Sequence, residues 1–300
     1  MNIDKCIICG KNSVDLGDNN PLTEEHIIPK ALGNNSLKCC FLCKTCNSRL
    51  GDTIDATFIN SFDIQLIRRQ LGIKGRNGIP NPFAKGKDSN GHDIRVDEKM
   101  QPSIVSCVEK TGNGVRIHAN SKEEAKEIAK KIMLRKGTDK DNIDKELQLI
   151  EAKEPTQYRP EICYNIEIDY RNRLLAILKI AYEYACFKLG DYYFNDVRAN
   201  EIRTILKSEM DQDVDTNNDL DFGVSYIPEE CRQILDFLHR TNPAHHLMII
   251  QNDALNRLIA TVSLFGLFEY SFVVLLSNDA SEYQSKISED LTDIVRIETE

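Results

Sequence analysis

The sequence predicts an α+β fold in two parts: a small N-terminal domain held by clustered cysteines, followed by a larger mixed α/β domain. Three observations carry this reading. Two Cys-x-x-Cys pairs, Cys6–Cys9 and Cys43–Cys46, bracket the first fifty residues. Residues 72–91 are rich in Gly, Pro, Asn and Lys, with Gly78-Ile79-Pro80-Asn81-Pro82 among them, and read as a linker or exposed loop. From residue 92 onward, strand-like runs alternate with segments of helical spacing. The expected division is therefore 1–75, a linker over 76–91, and 92–300.

The cysteine pairs point to a structural zinc ion. Each pair supplies two thiolates from one tight turn, and two such turns close a tetrahedral four-sulfur site. Such a site ties together a segment too small to build a sufficient core. Cys40-Phe41-Leu42-Cys43 is a competing Cys-x-x-Cys pair. The set Cys6, Cys9, Cys43 and Cys46 is preferred because Asn47 then follows the last ligand directly. Cys39 and Cys40 fit a short strand over Lys38–Leu42, where a free thiol behaves as a small apolar side chain. Zinc held by four thiolates has no open position, so chemistry at this domain needs other groups. His26 is suited to act as a general base because imidazole titrates near neutral pH. Glu25 and Asn47 offer hard oxygen ligands that suit Mg²⁺ or Mn²⁺.

Leu22-Thr23-Glu24-Glu25-His26-Ile27-Ile28-Pro29-Lys30-Ala31-Leu32-Gly33 resembles the first strand and loop of zinc-stabilised HNH endonucleases. Leu42-Cys43-Lys44-Thr45-Cys46-Asn47-Ser48-Arg49-Leu50-Gly51-Asp52 resembles their second strand and following helix. The resemblance covers residues 3 to 60, a fifth of the chain. It implies a ββα-metal fold, a hairpin and a helix gripping one catalytic cation. It further implies that His26 is the general base and that Glu25 and Asn47 hold the cation or its waters. The expected activity is metal-dependent hydrolysis of phosphodiester bonds, with DNA as substrate and a place in bacterial restriction or antiphage defence. The sequence departs from the commonest family pattern twice: Glu25 stands where Asp is frequent, and Asn47 where His is frequent. Asp52 and Asp55 are further candidate oxygen donors, the alternative being a solvated helix face. The competing function is a zinc-containing module that binds nucleic acid or protein without cutting.

Further along, Ile54, Phe58, Phe62 and Leu66 recur every four residues and predict a helix over 53–71. Ile104–Val108 and Val115–His118 predict a hairpin turning at Thr111–Gly114. Ser121 and Glu124 form a capping-box start for a helix reaching Lys136. Leu147–Ala152 and Tyr164–Ile168 read as strands. Residues 170–190 give the strongest helix, with helices expected over 191–208 and 229–240 and an acidic loop over Asp211–Asp221. His246–Gln251 and Leu258–Leu276, interrupted near Gly266, read as closing strands. In this second domain His118, His245 and His246 are unremarkable taken singly. Arg171, Arg173, Lys179, Arg198 and Arg203 lie on helices where they either face a ligand or are solvated. Leu264–Phe268 reads as core strand. The domain is expected to recognise a target, bind a regulatory ligand or partner, or mediate homo-oligomer assembly.

Composition sets bounds. At 41% hydrophobic and 28% charged, the chain is globular in type. No apolar run is long enough for a membrane span and no signal peptide is recognisable, so a cytoplasmic location is expected. Ten cysteines there favour zinc over disulfides. The net charge of −9 argues against nucleic acid at first sight. Residues 1–90, however, hold 12 Lys and Arg against 9 Asp and Glu, so the acidic excess lies beyond them. Local charge governs phosphate contacts. Arg68, Arg69, Lys74, Arg76, Lys85 and Lys87 are candidates to track a phosphate backbone, or are simply a solvated basic loop.

Overall fold

The structure, a computed structural model, describes residues 3–112, 114–152, 161–210, 222–232, 243–252, 254–287 and 290–299. It mixes helix and sheet in two compact units, Met1–Pro80 with Ile168–Glu300, and Asn81–Glu167. This grouping differs from the one expected from the sequence. The stretch expected as a linker contains a strand, and residues after 168 share one apolar core with the N-terminal segment. The cause is area. Ile7, Ile8, Ile27, Ile28 and Leu32 are fully buried, and a segment this short cannot cover them with its own side chains.

Elements are numbered in chain order. The first unit begins with a turn of helix, α1 (Ser13–Leu16), capped by the Asn12 side chain. Strands β1 (Leu22–His26) and β2 (Lys38–Cys43) pair antiparallel, with an irregular register between Thr23 and Glu25. Helix α2 (Lys44–Leu50) follows at once, then a π-helical turn over Gly51–Asp55, α3 (Ala56–Ile59) and α4 (Phe62–Gln70). The single helix expected over 53–71 is thus broken at Asn60–Ser61, where Ser61 is extended. The break resets the helical phase, so Ile64 and Ile67 are buried in place of Phe62 and Leu66.

The strongest predicted helix is found as α7 (Tyr170–Leu189), capped by Asp169 and stopped at Gly190 with φ 62°. It is buried on almost every side, as its nearly unbroken apolar run requires. Residues expected as one helix over 191–208 form α8 (Asp191–Phe194) and α9 (Val197–Met210). Helix α7 packs on β11 and β12 of a five-stranded antiparallel sheet of order β13-β10-β11-β12-β9. These strands are β9 (Val224–Tyr226), β10 (Ala244–Asn252), β11 (Arg257–Ser263), β12 (Ser271–Ser277) and β13 (Thr292–Arg296). The expected interruption near Gly266 is real: Phe265 and Gly266 both have positive φ, at 61° and 67°. Leu264–Phe268 is therefore a turn, not strand, although Leu264 and Phe265 are buried.

The second unit holds a four-stranded sheet of order β5-β4-β3-β8, formed by β3 (Lys85–Asp88), β4 (Asp93–Val96), β5 (Pro102–Ile104) and β8 (Ile162–Cys163). A separate hairpin pairs β6 (Cys107–Thr111) with β7 (Gly114–His118). The strand expected over 104–108 is split between the two sheets. Ser121 caps α5 (Lys122–Arg135) by accepting from Glu124 N. Leu147–Ala152, expected as a strand, lies in helix α6 (Lys140–Ala152), where Ile143, Leu147 and Ile150 recur at helical spacing. Of the strand expected at Tyr164–Ile168, only the preceding Ile162–Cys163 pairs. The loop over 211–221 and most of the helix expected over 229–240 lie outside the described residues. No helix among the described residues is long and apolar enough to cross a membrane.

Gly33 closes the first unit. Its φ is 96°, and a Cβ there would meet Ile297 Cγ2 at 2.7 Å. Its carbonyl accepts from Glu298 N at 3.1 Å. Gly33→Ala should therefore lower stability by more than the roughly 1–2 kcal/mol of a left-handed residue alone. Gly51→Ala, at a helical position with open space around it, should be neutral or stabilising. Denaturant midpoints of the two variants check the contrast.

Candidate active site

Four sulfurs converge at the N-terminal end of the molecule. Those of Cys6, Cys9, Cys43 and Cys46 lie within 4.8 Å of one another, with Cys9 Sγ and Cys43 Sγ at 4.0 Å. Zinc–sulfur bonds of about 2.3 Å in a tetrahedron put sulfurs about 3.8 Å apart, so the cluster fits zinc. A hydrogen bond from Cys46, ahead of opposing burial, holds Cys6 down at about 5, the thiolate that a metal site needs. Burial pushes Cys9 up to about 11. Cys39 is buried, with its thiol pushed up by desolvation, and Cys40 is exposed. Neither joins the cluster.

The local irregularity in β1–β2 aims the next residues. Thr23 pairs with Leu42 and Glu25 with Cys39, so β2 carries one residue more than β1 over that interval. Such bulges re-aim a side chain beside a site. His26 emerges half-buried opposite Lys38, and neither ring nitrogen hydrogen-bonds to another described residue. Burial and then the Lys38 ammonium hold its pKa below the ordinary value, against the pull of Glu25 and Glu24. The imidazole is thus neutral at neutral pH.

Asn47 sits one turn into α2, whose N-cap is Cys43, so helix capping does not account for it. Its Nδ2 donates to Thr23 Oγ1 at 3.1 Å and to the Glu24 carbonyl at 3.3 Å, clasping α2 to β1. This leaves Oδ1 as its free oxygen. Of the two further carboxylates, Asp52 is exposed on the helix surface. Asp55 is buried, because the π-helical turn carries it inward.

Lys179 of α7, expected either to face a ligand or to be solvated, does neither, and its role here is the one that sequence reasoning missed. It is fully buried, with Nζ 3.0 Å from Asp55 Oδ2, 3.1 Å from Glu25 Oε1 and 3.2 Å from Glu183 Oε1. Burial opposes its charge, but Asp55, Glu183 and Glu25 together hold its pKa well above the ordinary lysine value. Burial likewise pushes Glu183 well above the carboxylate range, and Asp55 upward, against the attraction of Lys179. Asp55 Oδ1 is buried without a hydrogen-bond partner.

The other helix cations expected to face a ligand or solvent are also committed internally. Arg171 pairs with Glu209, Arg173 with Asp63, and Arg198 with Glu201 and the Phe222 carbonyl. Arg203 donates to the Phe194 carbonyl. His245 is a satisfied core histidine: Nε2 lies 3.0 Å from the Leu32 carbonyl, Phe265 N donates to Nδ1, and burial lowers its pKa to about 4. Arg68 of the basic cluster is buried too, and packs against Gly75.

Two tests follow from this geometry. Lys179→Met leaves buried carboxylates without their cation and should cost about 3–5 kcal/mol in a denaturant melt. Glu183 is raised in the folded chain, so its favourable contribution is complete below the ordinary glutamate pKa and is lost as pH rises through the folded value. Glu183→Gln should remove that loss, so its stability should fall less than that of wild type as pH rises above the ordinary glutamate pKa. At the cysteines, Cys43→Ser should abolish zinc binding at the four-sulfur site and unfold the N-terminal segment, while Cys40→Ser should retain the zinc of that site, both read by metal analysis and circular dichroism.

No curated protein and no solved structure matches the chain. Residues 6–63 match the family model for HNH endonuclease, and the N-terminal part of the chain is an HNH domain with a four-cysteine cluster fit for zinc.

Proposed function

We propose that the chain is a metal-dependent endonuclease that hydrolyses phosphodiester bonds of DNA, with His26 as general base. The observation that carries this reading is the setting of His26: half-buried, with burial lowering its pKa, without a hydrogen-bond partner among the described residues, and next to Glu25 on a bulged strand that Asn47 clasps to α2. An imidazole in that state can take a proton from water as the water attacks phosphorus and the ester oxygen leaves.

Glu25 and the free Oδ1 of Asn47 are the groups that would hold Mg²⁺ or Mn²⁺; both are hard oxygen donors, and the orphaned Asp55 Oδ1 adds unsatisfied negative character nearby. When bound, that ion supplies charge stabilisation at the phosphate and the leaving oxygen. Asn47 holds β1 and α2 in register, and Lys179 fixes Glu25 through Oε1. The four-cysteine zinc carries no chemistry in this scheme, because its coordination is closed. The HNH match supports nucleic acid as substrate. DNA, and a role in bacterial restriction or antiphage defence in the cytoplasm, rest on the habit of proteins that join such a domain to a larger one.

The test is cleavage of supercoiled plasmid with Mg²⁺ or Mn²⁺. His26→Ala should lose on the order of 10²–10⁴ in rate with zinc content and melting unchanged. Asn47→Asp should retain more activity than Asn47→Ala, because it keeps an oxygen donor. Wild-type protein that binds plasmid or RNA but cuts neither would point instead to a non-catalytic binding module.

A further inference from the structure

The second unit carries a cluster that the nuclease reading does not use. His92 lies at the turn between β3 and β4, Glu109 on β6 and His118 on β7. One ligand atom from each lies within 4.8 Å of the others. His118 Nε2 is 3.5 Å from Glu109 Oε2. Donors about 2.0–2.1 Å from a tetrahedral metal stand about 3.4 Å apart, so this pair already has the spacing of two ligands on one ion. The two imidazole rings are 4.3 Å apart between centroids.

Two further features mark a built site rather than a chance meeting of surface groups. The first is Asp88. Its side chain is fully buried, and Oδ2 lies 2.9 Å from His92 Nδ1. Oδ1 accepts from the backbone N–H groups of Asn90 and His92 at 2.8 Å each, so the carboxylate is rigid. A carboxylate on one imidazole nitrogen fixes the tautomer and leaves the other nitrogen as a lone-pair donor, the arrangement that recurs behind metal-binding histidines. The second is His118 Nε2, a buried nitrogen that makes no hydrogen bond among the described residues, its 3.5 Å approach to Glu109 Oε2 being an ion-pair contact too loose to be one. A polar atom in that state calls for a ligand. Glu109 is half exposed, and its other ion pair among the described residues is with exposed Arg116, at 3.5 Å.

We propose that His92, Glu109 and His118 bind a second divalent transition-metal ion, with Asp88 orienting His92. Two imidazoles and a carboxylate suit zinc and its neighbours in the first transition row, not Mg²⁺. Three protein ligands leave one coordination position open, unlike the closed four-sulfur site. The site lies in Asn81–Glu167 and stands whether or not the HNH segment cuts DNA.

Metal stoichiometry of the full-length chain decides. Wild-type protein stripped of metal and titrated with Zn²⁺ should take up two equivalents. Reconstituted with Co²⁺, one equivalent should give thiolate charge-transfer absorption and the other only weak ligand-field bands. The double variant His92→Ala/His118→Ala should bind one equivalent and keep the thiolate signal. Glu109→Ala changes an exposed side chain and spares the fold, and should weaken the second equivalent without touching the first. Asp88→Asn should weaken it about 10–100-fold. Uptake of one equivalent by wild type would overturn the assignment. So would an unchanged second equivalent in the double variant or in Glu109→Ala.

Discussion

Everything in the first unit turns on one buried ammonium. Lys179 draws together a strand, a π-helical turn and its own helix through Glu25, Asp55 and Glu183. Taking these charges out of water is costly, and their mutual attraction offsets that cost only if geometry is held closely. The surrounding packing supplies the constraint. Tyr182, one turn along α7, donates to the Ile7 carbonyl at 2.6 Å beside the cysteine cluster. Asn172 reaches the Ile54 carbonyl near the other end. Helix α7 is therefore both the spine of the five-stranded sheet and the floor beneath the HNH segment.

The candidate active site is thereby tied to elements outside its own short segment. Glu25 and His26 are consecutive on β1. Whatever fixes the Glu25 carboxylate also limits how the next residue can turn, and that restraint comes from a residue 154 positions away. Asn47 adds a second restraint from α2, and the zinc cluster a third. Sites held to within fractions of an ångström need such support from outside the reacting groups.

The cysteine cluster was legible in the sequence because it is written at short range. Cys6, Cys9, Cys43 and Cys46 declare themselves by spacing, and the structure brings their sulfurs together. Helix α7 was legible because its apolar run is long. What could not be read was the partner of Glu25. A lysine amid an apolar helix looks the same whether it reaches solvent or a distant carboxylate, and only the tertiary fold decides. The same limit hid the second metal cluster, since His92, Glu109 and His118 come from separate turns and strands with no spacing rule. Short runs such as Leu147–Ala152 misled because six residues fit both a strand and a helical stripe. The stretch 76–91 does hold a division, at Pro80–Asn81, but nothing in it tells that the chain returns to the first core from Ile168 onward. Glycine and proline mark where a chain turns, not which pieces later share a core.

The order of these pieces along the chain has a consequence for how the protein is made. The HNH segment leaves the ribosome before the helix that covers its apolar face and pairs with Glu25, which is not synthesised until the intervening unit, Asn81–Glu167, has passed. At roughly 5–20 residues per second, the first eighty residues wait several seconds with their isoleucines uncovered and their carboxylates uncompensated. The four-cysteine cluster, fit for zinc, can close in that interval, because it needs only residues already translated. The geometry of the HNH segment is thus completed only after the helix that steadies it has been made.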